Sequence, residues 1–122
     1  MTSPHIAIVG SRRFRDRSAV ESLVDSLPPN ATVVSGGCYG VDTWAVKRAE
    51  HRGLKTIVIE PDFTNFDSLS YHERCQRYYD RNLKVAKAVS SLHAFVANDR
   101  KGGTENTIGH AKERGIPVII HD

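Results

Sequence analysis

Five short runs rich in Ile and Val, at residues 5–9, 31–35, 55–60, 93–97 and 116–121, recur along the chain with a helical pattern between each pair of neighbours. They are continuous instead of alternating, as in strands covered on both faces. The intervening stripes have helical spacing. Ala19, Val20, Leu23, Val24 and Leu27 form the first, stopped by Pro28 and Pro29. Val41, Trp44, Ala45, Arg48 and Ala49 form the second, closed by Gly53. Cys75, Tyr78, Tyr79, Leu83 and Ala86 make a longer third, and Ile108, Ala111 and Lys112 a short fourth ended by Gly115. Strands alternating with helices call for a parallel sheet with right-handed crossovers. The expected fold is therefore α/β: a single Rossmann-like three-layer domain over residues 1–122 with a parallel five-stranded sheet. Residues 61–71 lack periodicity and read as a loop, either covering a ligand or simply connecting two elements.

Composition narrows the function classes. With 39% hydrophobic and 25% charged residues, the chain is of ordinary globular type. Its apolar runs are too short for a spanning helix, and residues 1–5 lack the features of a signal peptide, so the expectation is a cytoplasmic protein without a membrane partner. Cys38 and Cys75 make neither a disulfide framework nor a metal pair, and the six histidines are scattered, so no metal and no cofactor are expected. The formal net charge is +3, and Arg12, Arg13, Arg15 and Arg17 with Asp16 carry an equal excess within one segment. That gives one locally positive spot.

Ligands of open parallel sheets sit beyond the carboxyl ends of the strands. Here the first run ends in Gly10-Ser11-Arg12-Arg13, and the second in Ser35-Gly36-Gly37-Cys38-Tyr39-Gly40. The fourth leads through Asn98-Asp99-Arg100-Lys101 into Gly102-Gly103-Thr104. Six of the nine glycines thus fall at strand ends on one side of the expected sheet. Glycine there lets a ligand approach the backbone, and the helices that follow offer unpaired N–H groups to an anion. Arg12 adds a bidentate grip on phosphate, and Ser11, Ser35 and Thr104 add hydroxyls. Three such loops together favour phosphate or nucleotide binding over three independent tight turns.

Common nucleotide motifs are absent. Gly36, Gly37 and Gly40 do not follow the dinucleotide spacing, and neither a P-loop nor a hydrolase nucleophile elbow occurs. Asp42, in the first turn of the second helix, serves either as a cap for backbone N–H groups or as a partner for a ribose hydroxyl. Tyr39 either stacks on a base or packs under its loop.

At these residues the sequence resembles the SLOG superfamily, which groups the DNA-processing protein DprA (Smf), the LOG phosphoribohydrolases and small YspA-like nucleotide sensors. Gly10-Ser11-Arg12 looks like the first-strand motif of the DprA-like and YspA-like members. Ser35-Gly36-Gly37-x-x-Gly40-x-Asp42-x-x-Ala45 is similar to their most specific signature. Arg81-Asn82 and Gly102-Gly103-Thr104 resemble the later half of YspA-like and LOG proteins, and Asp62-Phe63 resembles a YspA-like segment near the base or ribose. The LOG pattern closes on a glutamate where this sequence has Thr107, and Glu105 is the carboxylate nearest in sequence.

The resemblance implies binding of a nucleotide or nucleotide-derived phosphate ligand, as in a small sensor. Its residues are Gly10, Ser11, Arg12, Ser35, Gly36, Gly37, Tyr39, Gly40, Asp42, Asn82, Gly102, Gly103 and Thr104. A second implied activity is hydrolysis of a nucleoside 5′-monophosphate, with Arg81 and Glu105 as the catalytic pair and Asp99 as a weaker carboxylate. A third is single-stranded DNA binding in the DprA manner, through residues 12–17 with Phe14 and Tyr39 nearby, while Tyr78 and Tyr79 are read as helix core. Relatives of this kind often pair, which makes a homodimer a further expectation.

Overall fold

The computed structural model describes residues 3–98 and 100–122. Its elements are β1 (His5–Gly10), α1 (Arg17–Ser26), β2 (Thr32–Ser35), α2 (Val41–His51), β3 (Lys55–Val58), α3 (Tyr71–Lys87), β4 (Ser91–Phe95), α4 (Gly103–Glu113) and β5 (Val118–His121). The five strands form one parallel sheet in the order β3-β2-β1-β4-β5. The chain winds outward from β1 to β3, returns to β4 beside β1, and ends at β5.

Alternation along β1 divides the core into two halves. Ile6 and Ile8 face α1 and α2, where they meet Val20, Val24, Val41, Ala45 and Ala49. Ala7 and Val9 face α3 and α4, where they meet Val85, Ala86, Ile108 and Ala111. Burying each Val or Ile side chain of this kind stabilises the fold by about 1.5–3 kcal/mol. The result is the expected three-layer α/β arrangement, with α1 and α2 on one face and α3 and α4 on the other.

Local chemistry fixes the helix ends. Asp16 caps α1 by accepting the Ala19 N–H at 3.2 Å, and α1 stops before Pro28 and Pro29. Ser70 and Glu73 form a reciprocal capping box on α3. Both α2 and α4 begin instead at glycines with no side-chain cap, Gly40 (φ 97°) and Gly102 (φ 94°). A side chain at either position would strain the turn.

Two elements depart from the sequence reading. Residues 55–60 were expected to be covered on both faces, but β3 is an edge strand, with Ile57 and Val58 substantially exposed. Residues 61–70 include a 3₁₀ turn at Phe66–Ser68 and are strapped along α3. Arg74 donates to the Phe66 and Asp67 carbonyls at 3.0 Å, and Arg77 to the Asp62 and Thr64 carbonyls. The rings of Phe63, Phe66 and Tyr78 meet edge to face along this strap.

Candidate functional site

The strand order reverses between β1 and β4, and the loops that leave these strands diverge there. The resulting cleft encloses about 680 Å³. One side consists of Gly10, Ser11, Arg12 and Arg13 after β1; the other consists of Lys101, Gly102, Gly103 and Thr104 before α4. Gly36, Cys38 and Asp42 contribute from the β2–α2 segment, and Thr107 from the second turn of α4. The remaining wall is α3, which presents Tyr71, Cys75, Tyr78, Tyr79, Arg81 and Asn82.

The structure brings nine of the thirteen expected ligand-binding positions together. Gly10, Ser11, Arg12, Gly36, Asp42, Asn82, Gly102, Gly103 and Thr104 line the cleft, whereas Ser35, Gly37, Tyr39 and Gly40 do not. Nine positions, then, share the cleft and four lie behind or beside it.

Several of these residues serve the scaffold. A Cβ on Gly10 would lie 2.5–2.8 Å from three side-chain atoms of Val41, so this glycine lets α2 press against β1. Gly37 faces Val58 of the edge strand, and Ser35 is fully buried, its hydroxyl accepting the Gly37 N–H at 3.2 Å. Tyr39 projects outward, 84% exposed.

The β2 loop also differs from the expected cradle of free amides. Asp42 Oδ2 accepts the Gly36 N–H at 3.0 Å and the Cys38 N–H at 3.3 Å. The amides of Gly36, Gly37 and Cys38 are therefore spent inside the loop. Asp42 does act as a cap, but for the turn that precedes its own helix. Its near-complete burial raises its pKa to about 6, outweighing the Cys38 and Gly36 N–H groups and the Arg81 charge that favour the ionised form.

Arg81 is buried at the cleft floor. It donates from Nη1 to the Gly36 carbonyl, from Nη2 to Cys38 Sγ at 3.3 Å, and from Nε to Asn82 Oδ1 at 2.9 Å. The Asn82 amide in turn donates to the Gly103 carbonyl at 3.3 Å and to Asn106 Oδ1 at 3.1 Å. One buried chain of hydrogen bonds thereby joins the loop after β2 to the start of α4. Among the described residues lining the cleft, Asp42 is the one carboxylate, against Arg12, Arg13, Lys101 and Arg81.

The candidate catalytic pair is not brought together. Arg81 lies in the cleft, but Glu105 is outside its lining and is held in a two-point ion pair by Arg100 at 2.8 and 3.0 Å. Thr107, which matches the LOG glutamate, does line the cleft, and its hydroxyl donates to the Gly103 carbonyl at 3.1 Å. Asp99 lies outside the described residues. Asp62 borders a smaller cavity of about 390 Å³ on the far side of α3, and Phe63 packs on Phe66. Phe14 is half-buried and packs edge to face on Phe95 at 5.1 Å, against the core beneath it.

Sequence reasoning missed Tyr71, Cys75 and Lys101, and it assigned Tyr78 and Tyr79 to the core. The structure corrects this: both tyrosines line the cleft, Tyr79 is 40% exposed and Tyr71 is 84% exposed. The signal was present in the spacing 71, 75, 78 and 82, one stripe of α3. Aromatic residues at that spacing look the same whether the face meets a core or a cleft.

These features define an α/β protein with a cationic, aromatic-walled cleft at its topological switch point. The family model for DNA recombination-mediator protein A matches residues 1–67, just over half of the chain, and the chain belongs to that family. The match takes in both the Gly10-Ser11-Arg12 turn and the β2–α2 signature. The chain is 29% identical over 118 residues to the "Gene 61 protein" of Mycobacterium phage D29, covering 93% of each. Its fold is similar to that of DNA processing protein A (DprA) from Streptococcus pneumoniae, with a TM-score of 0.75 at 24% identity. That alignment takes in 97% of this chain and 50% of the other, so this chain spans half the length of that protein. No helix among the described residues is long and apolar enough to cross a membrane.

Proposed function

We propose that the cleft binds single-stranded DNA, with backbone phosphates on the cations of its rim and bases stacked on the tyrosines of α3. The observation that carries this reading is the juxtaposition of Tyr71 and Tyr79 on one wall with Arg12 and Lys101 at the loops beside it. Strand binding without sequence readout needs those two ingredients, a positive groove and aromatic faces. Membership in a DNA recombination-mediator family supports a DNA partner over other anions.

A second reading is a free nucleotide or nucleotide-derived phosphate. The polar floor favours it: Asp42, Arg81, Asn82 and Thr107 are buried side chains that line the cleft beneath its rim. Buried polar groups of this kind suit a small ligand that enters whole.

Fluorescence anisotropy with a labelled oligothymidylate, repeated over a range of salt, separates the two. Strand binding predicts an affinity that falls linearly on a log–log salt plot, by about 0.7 per phosphate contacted. AMP and ADP-ribose in excess should compete weakly. Absence of oligonucleotide binding by folded protein, with tight calorimetric binding of either small ligand, would reverse the order of the two readings.

A further inference from the structure

Asp42 and Arg81 stand on either side of one point in the cleft floor. A Cβ built on Gly36 would lie 2.9 Å from Arg81 Nη1 and 3.1 Å from Asp42 Oδ2. Both side chains are buried, so their opposite charges are poorly screened from each other and from anything that reaches them. The charged group facing Asp42 is Arg81 from α3; from the preceding loop the Gly36 and Cys38 N–H groups and the Ser35 hydroxyl hydrogen-bond it, while the Cys38 thiol faces Arg81. The rest of the cleft adds Arg12, Arg13 and Lys101, with Tyr71, Cys75, Tyr78 and Tyr79 along α3.

With only these groups present, the Asp42 carboxylate balances Arg81. An anion attracted to Arg81 upsets that balance, because its oxygens arrive beside a second negative charge in a place shielded from water. Repulsion of this kind is removed if the carboxyl group takes up a proton. Burial has already brought that proton within reach, since the Asp42 pKa stands at about 6 before any ligand binds.

Resting on the reading of a phosphate-bearing ligand, we infer that the cleft takes up one proton with each phosphate seated at Arg81, and that the proton resides on Asp42. Asp42 is then a specificity-setting residue whose charge opposes the ligand at high pH. One-proton linkage makes affinity rise up to tenfold for each unit of falling pH, in the window above about 6 where the free carboxyl is ionised and the bound one protonated.

The test is calorimetric. An oligothymidylate without terminal phosphates is used because its diesters do not titrate near neutrality. Titration near pH 7 in buffers of different ionisation enthalpy should show close to one proton taken up per strand bound. In Asp42→Asn that uptake should vanish, and the affinity above neutrality should rise toward the value the wild type reaches at low pH. No uptake in the wild type, or undiminished uptake in Asp42→Asn, overturns the inference. If the variant fails to fold, carboxyl NMR of wild-type Asp42 decides, since its midpoint must rise when ligand is added. Sulfate, which does not titrate in this range, separates this inference from strand binding. Sulfate bound with proton uptake upholds it even where the oligonucleotide fails, and sulfate bound without uptake contradicts it. Binding of neither probe overturns both.

Discussion

Asn82 holds Arg81 with one end of its amide and the Gly103 carbonyl with the other, so two neighbouring residues of α3 tie together loops that leave different strands. The Asn82 amide also reaches Asn106, and Thr107 reaches Gly103, which closes the network at the start of α4. Asn82→Ala removes this crosslink and leaves Arg81 Nε without its partner. Such a loss costs about 1–3 kcal/mol when the groups are buried. Urea denaturation should show a lowered midpoint with an unchanged slope. A midpoint equal to wild type would mean that the network contributes nothing to stability.

Gly10 is a packing residue by geometry. Gly10→Ala drives a methyl group into Val41, and overpacking of this sort typically costs about 1–3 kcal/mol. Val41→Ala should recover part of the loss when combined with it, because it vacates the space the methyl group needs. Denaturation of the two single variants and the double variant checks this. Strict additivity would show that the two positions are not in contact.

The histidines of β4 and β5 give stability a pH dependence. His93 Nδ1 lies 2.9 Å from His121 Nε2, and His121 stacks on Phe95. Burial lowers both pKa values from 6.5, helped at His93 by the His121 charge. The unfolded chain therefore binds protons first as pH falls through 6.5, and stability drops through and below that value. Asp42 acts in the opposite sense, since its raised pKa lets the folded state bind the proton first. Replacing His121 with Phe should flatten the acid-side decline in thermal stability. A decline as steep as wild type would assign it to other groups.

Glu105 belongs to a surface ion pair with Arg100, whose backbone is itself left-handed at φ 50°. Glu105→Gln should change stability by less than about 1 kcal/mol, as exposed ion pairs generally do. It should also leave cleft binding intact, and incubation of the wild type with nucleoside monophosphates should release no ribose 5-phosphate. Release of that product, lost in Glu105→Gln, would show that residues 100–105 rearrange to bring the carboxylate into the cleft.

Much of the architecture was legible in the residues because it rests on periodicity. The runs around Ile6, Val33 and Leu92 are apolar on both faces because helices cover both, and Pro28 and Gly115 mark where two helices end. The exposure of Ile57 and Val58 was not legible, since an edge strand here is as apolar as a central one and strand order is absent from local pattern. The glycine loops were found, but not the fate of their amides: the bonds from Gly36 and Cys38 to Asp42 depend on how a turn folds back on the helix after it. Tyr78 and Tyr79 were misread for a related reason. A helical stripe reports that a face is covered or concave, without saying which.

The central claim is that the rim cations and the α3 tyrosines of one cleft together hold a single DNA strand. It is tested most directly by salt-dependent anisotropy on three proteins: wild type, Tyr79→Ala, and Arg12→Ala combined with Lys101→Ala. Loss of one stacking face should weaken binding by about 1–3 kcal/mol at every salt concentration, leaving the slope unchanged. Loss of the two rim cations should reduce the slope by about 1.4, at roughly 0.7 for each phosphate contact removed. Equal affinities and slopes for all three proteins, or no binding by any of them, would contradict the claim.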